Sequence, residues 1–241
     1  MSASLAVLLV IVLVGYCSAQ QRTALAEWTA DEYPNPRTDP VLCGRSETSF
    51  VCDPNGLLTS KEADTLDWLL RGLYFNDTRC PCSDHTCETK KTGYVVAIAV
   101  LRKLRIVKDG AVTDSDKFSA LRQFAYDLEK KKWRMGNCNE DIIIAYSAED
   151  QMIYTMAGDV AIMKLNQDVI TDITSQTKNY FKDNQHVYAG LRTMVMEYRE
   201  ALNGGFVFSK QVDQRPKGTA VTMSSTVMSI LSLLFCAIVV L

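Results

Sequence analysis

The chain has 241 residues, 47% of them hydrophobic and 22% charged, with a formal net charge of -2. Its 12 glycines and 6 prolines exclude a collagen-like or low-complexity chain, and the hydrophobic share excludes wholesale disorder. The near-neutral charge excludes the broad basic surface that nucleic-acid binding needs.

Residues 1–19 and 221–241 carry no Asp, Glu, Lys or Arg. A polar body therefore lies between two apolar ends, and it is long enough for one good core. Leu5 to Val14 is an apolar run too short to span a bilayer. Gly15 and Cys17-Ser18-Ala19 follow it as a small-residue cleavage pattern. Residues 1–19 read as a secretory signal peptide, with Gln20 as the mature N-terminus.

Residues 20–50 hold Pro34, Pro36 and Pro40 and read as an extended arm tied down by Cys43. Cys52-Asp53-Pro54-Asn55-Gly56 is a turn. Thr59 and Glu62 make a capping box. Leu66, Leu69, Leu70 and Leu73 then fall at helical spacing, which predicts a helix over about 60–75. Asn76-Asp77-Thr78 is the one N-glycosylation sequon, with Asn76 as acceptor. Tyr94 to Val100 is apolar and β-branched, the pattern of a buried central strand.

Residues 116–132 predict an amphipathic helix. Phe118, Leu121, Phe124, Ala125 and Leu128 share one face, and three lysines meet the negative end of the helix dipole. Ile142 to Tyr146 is a second buried strand. A third strand, Met152 to Met156, ends at Gly158-Asp159. Residues 166–183 and 186–202 read as two more helices, stopped by Gly204-Gly205. Residues 205–222 form a polar stalk. Residues 223–241 read as the apolar tail of a GPI-anchor signal with Gly218 as the attachment residue. A short transmembrane segment is the alternative for this tail. Both readings place the body at the extracellular face of the plasma membrane.

The expected fold is α/β. One domain over 51–204 holds a small mixed β-sheet flanked by helices on both faces, with a parallel strand pair and an antiparallel edge. Six cysteines lie in the body: Cys43, Cys52, Cys80, Cys82, Cys87 and Cys138. An even set in an exported body reads as three disulfides. Parallel strands start at the same end of the sheet, so Cys138 pairs with Cys80, Cys82 or Cys87. The simplest solution joins Cys43 to Cys52, and Cys87 to either Cys80 or Cys82. Cys80-Pro81-Cys82 with His85 and Cys87 also has zinc-like spacing, but in an oxidising compartment disulfides claim these thiols.

Cys52 to Leu58, the helix with Glu62 and Asp64, the strand Gly93 to Leu101, Trp133 through strand 142–146, and Gly158-Asp159 resemble the TPM domain. Trp28, Tyr33-Pro34-Asn35-Pro36, Asp39-Pro40, Cys43-Gly44-Arg45 and the six cysteines add a more specific likeness. Together they resemble the modulator-of-levamisole-receptor family of nematode TPM-domain proteins, over about residues 28–203. The resemblance implies an auxiliary subunit of a pentameric ligand-gated ion channel, the levamisole-sensitive acetylcholine receptor type.

Plant and bacterial TPM relatives imply a second reading, a calcium-dependent acid phosphatase. Its candidate metal ligands are Asp53, Asp141 and Asp159, because oxygen ligands converging from loops suit Ca²⁺. No other cofactor is implied. The sequence has two histidines, and neither stands in a Ser-His-Asp or HExxH pattern, which favours binding over catalysis. Lys130, Lys131, Lys132 and Arg134 form a basic cluster suited to an acidic partner or lipid headgroups. The arm over 28–50 is a second candidate contact surface.

Overall fold

The computed structural model describes residues 25–82, 87, 89, 91–206 and 208. The signal segment, Gln20, His85, Gly218, most of the stalk and the apolar tail lie outside the described residues. Among the described residues no helix is long and apolar enough to cross a membrane.

Among the described residues, eight helices and strands carry the body. They are β1 (Val51–Cys52), α1 (Ser60–Gly72), β2 (Val95–Leu101), α2 (Asp114–Asp127), β3 (Asp141–Ser147), β4 (Met152–Ala157), α3 (Gln167–Thr177) and α4 (Val187–Leu202). The sheet has the order β1-β2-β3-β4. β1 and β2 are parallel, as are β2 and β3, while β3 and β4 are antiparallel. Every residue of β2 and β3 is buried. That burial explains their unbroken apolar runs, since a parallel pair covered on both faces has no polar side.

Neighbouring residues of β4 identify the two faces, because successive side chains of a strand point opposite ways. The Tyr154 ring meets Phe118 of α2 edge-on at 5.7 Å. Thr155 shares a 2.7 Å hydrogen bond with the Tyr198 hydroxyl of α4. Helices therefore cover both faces of a mixed sheet, as the sequence predicts.

α1 starts at the expected capping box, with Thr59 Oγ1 accepting from the Glu62 amide at 3.3 Å and Glu62 accepting from the Thr59 amide at 2.8 Å. α2 starts two residues before the predicted point, because Thr113 and Asp116 make a second capping box. Both helices end in a π-helical turn rather than running straight on: Leu73–Asp77 after α1 and Leu128–Trp133 after α2. A π turn inserts a residue and rotates the side chains that follow it. Both turns carry residues of the sites described below.

β1 has no counterpart in the sequence reading, since two residues give no periodicity. It is held from its flanks. Buried Asp67 of α1 accepts from Ser49 Oγ at 2.7 Å and from the Phe50 amide at 2.6 Å, and Cys43 bonds to Cys52. The arm is likewise packed, and by more than its disulfide. Tyr33 donates to the carbonyls of Cys52 and Val100 at 2.9 and 2.8 Å. Trp133 donates to Pro34 O at 3.0 Å, and Trp28 bridges to Leu104. The other two disulfides are Cys80–Cys87 and Cys82–Cys138.

Candidate functional site

The amino ends of β2 and β3 close around three buried carboxyl groups. Glu129 lies in the π turn after α2 and is 2% exposed; Glu140 and Asp141 are 2% and 3% exposed. Asp141 opens β3 opposite Val95, and one of its oxygens accepts from the Met135 amide at 3.1 Å. Glu140 accepts from the Asn137 and Cys138 amides at 2.8 and 2.7 Å, so it organises the loop that carries the Cys82–Cys138 bond.

Glu129 is less well provided for. Its Oε1 lies 3.3 Å from Lys130 Nζ, and its buried Oε2 has no hydrogen-bond partner. Burial first, and the Asp141 carboxylate second, push the Glu129 carboxyl up to about 7. A buried acid beside a second carboxylate keeps its proton because two like charges at close range cannot both ionise cheaply. Two glycines let the loops approach this closely. A Cβ on Gly158 would stand 2.4 Å from Asn139 O and 2.8 Å from Glu129 Oε1, and one on Gly136 would stand 2.6 Å from Glu140 Oε2.

The three proposed metal ligands do not converge. Asp159 does lie at this end of the sheet, where the neighbouring Gly158 amide donates to Asp141 O at 2.8 Å. Asp53 lies at the other end. It follows Cys52, which pairs with Ala99, whereas Asp141 pairs with Val95. That offset of five strand residues is about 16 Å. There Asp53 Oδ2 accepts from the Leu58 amide at 2.6 Å. Burial raises its pKa, and the backbone N–H groups of the 55–58 turn pull it back.

At the amino end the place of a cation is taken by the chain itself. Lys130 Nζ stands between Glu129 Oε1 at 3.3 Å and Asp159 Oδ2 at 3.1 Å. A Ca²⁺ ion wants six to eight oxygens. Here the Glu140 oxygens are committed to amides, and the ammonium bridges two of the remaining carboxylates. The residues present do not fit a resident Ca²⁺. The sulfur atoms with metal-like spacing, Cys80, Cys82, Cys87 and Cys138, are all in disulfides.

The basic cluster is also compensated. Lys131 pairs with Asp127 at 2.7 Å and Lys132 with Asp31 of the arm at 2.8 Å, in addition to the Lys130 bridge. Arg134, at φ +42°, is exposed. Within the described part of the arm the exposed large apolar residues are Leu25, Val41 and Leu42, while Trp28, Tyr33, Cys43 and Phe50 are buried.

A second concave site escaped the sequence reading. Trp68 of α1 and Phe75 of the first π turn are 72% and 54% exposed. They flank a cavity of about 280 Å³ that Arg71, Asn76, Asp77 and Arg199 also line. The signal in the sequence was Trp68 lying outside the leucine stripe, with Phe75 directly before the sequon.

The profile of a family described as "Modulator of levamisole receptor-1" matches residues 28–151. That span contains the arm from Trp28 on, the six body cysteines, both π turns and the buried carboxylates. Among solved structures, the N-terminal domain of a protein from P. gingivalis aligns with a TM-score of 0.53 at 16% identity, over 76% of this chain and 96% of that one. This likeness concerns the fold alone. The BA42 protein from the psychrophilic bacterium Bizionia argentinensis aligns with a TM-score of 0.38 at 13% identity, over 64% of this chain and 86% of that one. No curated protein matches the chain.

Proposed function

The chain belongs to the modulator of levamisole receptor-1 family, and from that premise we propose that it is an extracellular auxiliary protein of an acetylcholine-gated, levamisole-type ion channel. In this reading residues 1–19 direct export, a TPM-type body acts by direct contact with the channel ectodomain, and residues 223–241 supply the membrane anchor.

The observation that carries the reading is the family match over 28–151. Two features support it. All six body cysteines are paired, which suits an oxidising compartment. Glu140 and Asp141 accept from backbone amides and Lys130 stands against Glu129, contacts that hold the loops of this end together. Modulation of a channel requires different affinity for two of its states, and the coupling is reciprocal. The auxiliary protein must therefore bind the agonist-bound and resting channel unequally.

Co-expression with a levamisole-sensitive receptor, followed by affinity capture with and without agonist, tests this. Capture that changes with agonist supports the proposal, and no capture in either state refutes it. Treating intact cells with a phosphatidylinositol-specific phospholipase C separates the two anchors. Release means a lipid anchor, and retention means a tail that stays in the bilayer.

A further inference from the structure

We propose that Asn76 carries an N-linked glycan whose first sugar lies in the cavity between Trp68 and Phe75. The inference goes beyond the receptor reading and shares with it only the premise that the chain is exported.

Large aromatic side chains standing half or more in water call for an occupant when they line a concavity. Here Trp68 and Phe75 are 72% and 54% exposed and face a cavity of about 280 Å³. An N-acetylhexosamine ring matches that lining. Its C–H face is apolar and slightly positive, which suits the negative faces of aromatic rings. Its hydroxyl and acetamido rim needs hydrogen bonds, and Arg71, Arg199 and Asp77 stand at the cavity edge. Asp77 and Arg199 are 3.7 Å apart, so together they offer an acceptor and donors.

Position selects this occupant over any free ligand. The π turn places Phe75 and Asn76 side by side in the same cavity. A sugar bonded to Asn76 is tethered there, so its local concentration is high and its binding costs little entropy. Asn76 itself is exposed, whereas the third sequon residue is not. The Thr78 hydroxyl is buried, donates to Leu73 O at 2.7 Å and accepts from the Tyr94 amide at 2.9 Å.

The covalent step needs a co-reactant, a lipid-diphosphate-linked oligosaccharide of the secretory pathway. The Asn76 side-chain nitrogen attacks its anomeric carbon. The C–N bond forms, the C–O bond to the diphosphate breaks, the nitrogen loses one proton to a base of the transferase, and the lipid diphosphate leaves.

The full chain, expressed in a eukaryotic secretory host, gives a direct readout. It has three tryptophans, of which Trp28 and Trp133 are buried and Trp68 is exposed, so acrylamide quenching at the surface reports Trp68 alone. With the glycan in place, the easily quenched share of the emission is lost. An endoglycosidase that leaves the first sugar keeps Trp68 protected. A peptide-N-glycosidase that removes every sugar, or the variant Asn76→Gln, restores one quenchable tryptophan in three. A modified Asn76 with Trp68 quenched equally with and without sugar overturns the proposal. So does a bare Asn76 in an exported, disulfide-bonded chain, and Trp68 protection that then arises only on adding the receptor reassigns the patch to the channel. A chain with free thiols and an uncleaved leader refutes export itself, and with it both proposals.

Discussion

Glu129→Gln should make the protein more stable as the pH rises, by an amount that the structure sets. The folded carboxyl titrates at about 7 against an ordinary 4.5, because it is buried beside Asp141. Between those values the folded chain holds a proton that the unfolded chain has lost. The contribution of Glu129 to stability is therefore complete below pH 4.5 and is lost as the pH climbs through 7. At about 1.4 kcal/mol per pKa unit the loss is about 3 kcal/mol by pH 8. Glutamine keeps the volume, removes the charge and donates from its amide to Asp141. Urea unfolding of both proteins between pH 4.5 and 8, with disulfides intact, gives the difference curve. It should be close to zero at pH 4.5 and reach about 2–3 kcal/mol in favour of the variant at pH 8. A difference that stays flat across this range refutes the reading of Glu129 as a carboxyl held neutral by burial beside Asp141.

Removing the long disulfide by Cys82→Ser with Cys138→Ser should cost about 4 kcal/mol on the chain-entropy model, since it closes a sequence separation of 56. Removing Cys43–Cys52, at a separation of 9, should cost about 2.5 kcal/mol on the same scale; urea midpoints would rank them. Asp67→Ala strips acceptors from Ser49 and the Phe50 amide and should lower stability by about 3 kcal/mol, read as a thermal shift; a loss under 1 kcal/mol would mean that β1 is held without Asp67. Millimolar Ca²⁺ should leave the native melting temperature unchanged but raise that of Lys130→Met, where the ammonium no longer bridges Glu129 and Asp159; a rise in the native protein would show that Lys130 does not fill the cation's place.

Much of the fold was legible because its driving patterns are local. The apolar runs of β2 and β3 and the Thr59–Glu62 box each announce one structure within a few residues. The sequence spacing also left a small set of disulfide pairings, of which the structure has Cys82 on Cys138 and Cys80 on Cys87. The sites were less legible because they depend on departures from regular structure. Glu129 continues the buried stripe of Leu121, Phe124, Ala125 and Leu128, yet in the sequence it stands as one more polar residue before three lysines, and only the packing of this turn on the start of β3 sets it beside Asp141. Asp53 shares with Asp141 and Asp159 a place beside a strand, yet strand register puts it at the far end of the sheet. Of the arm's anchors only Cys43 was legible, because the others, Tyr33 to Val100 and Trp133 to Pro34, are separated by 67 and 99 residues, beyond the reach of any local pattern. The Trp68–Phe75 concavity likewise joins a helix to its irregular end.

The central claim is that this body modulates a channel by contact. Its most direct test is the agonist-evoked current of a levamisole-sensitive acetylcholine receptor in oocytes, recorded with and without the full chain at matched receptor surface density. A changed current amplitude or a shifted agonist dose-response that disappears when the chain is left out is the expected result. Identical currents and dose-responses in both conditions, with the chain present at the surface, would contradict it.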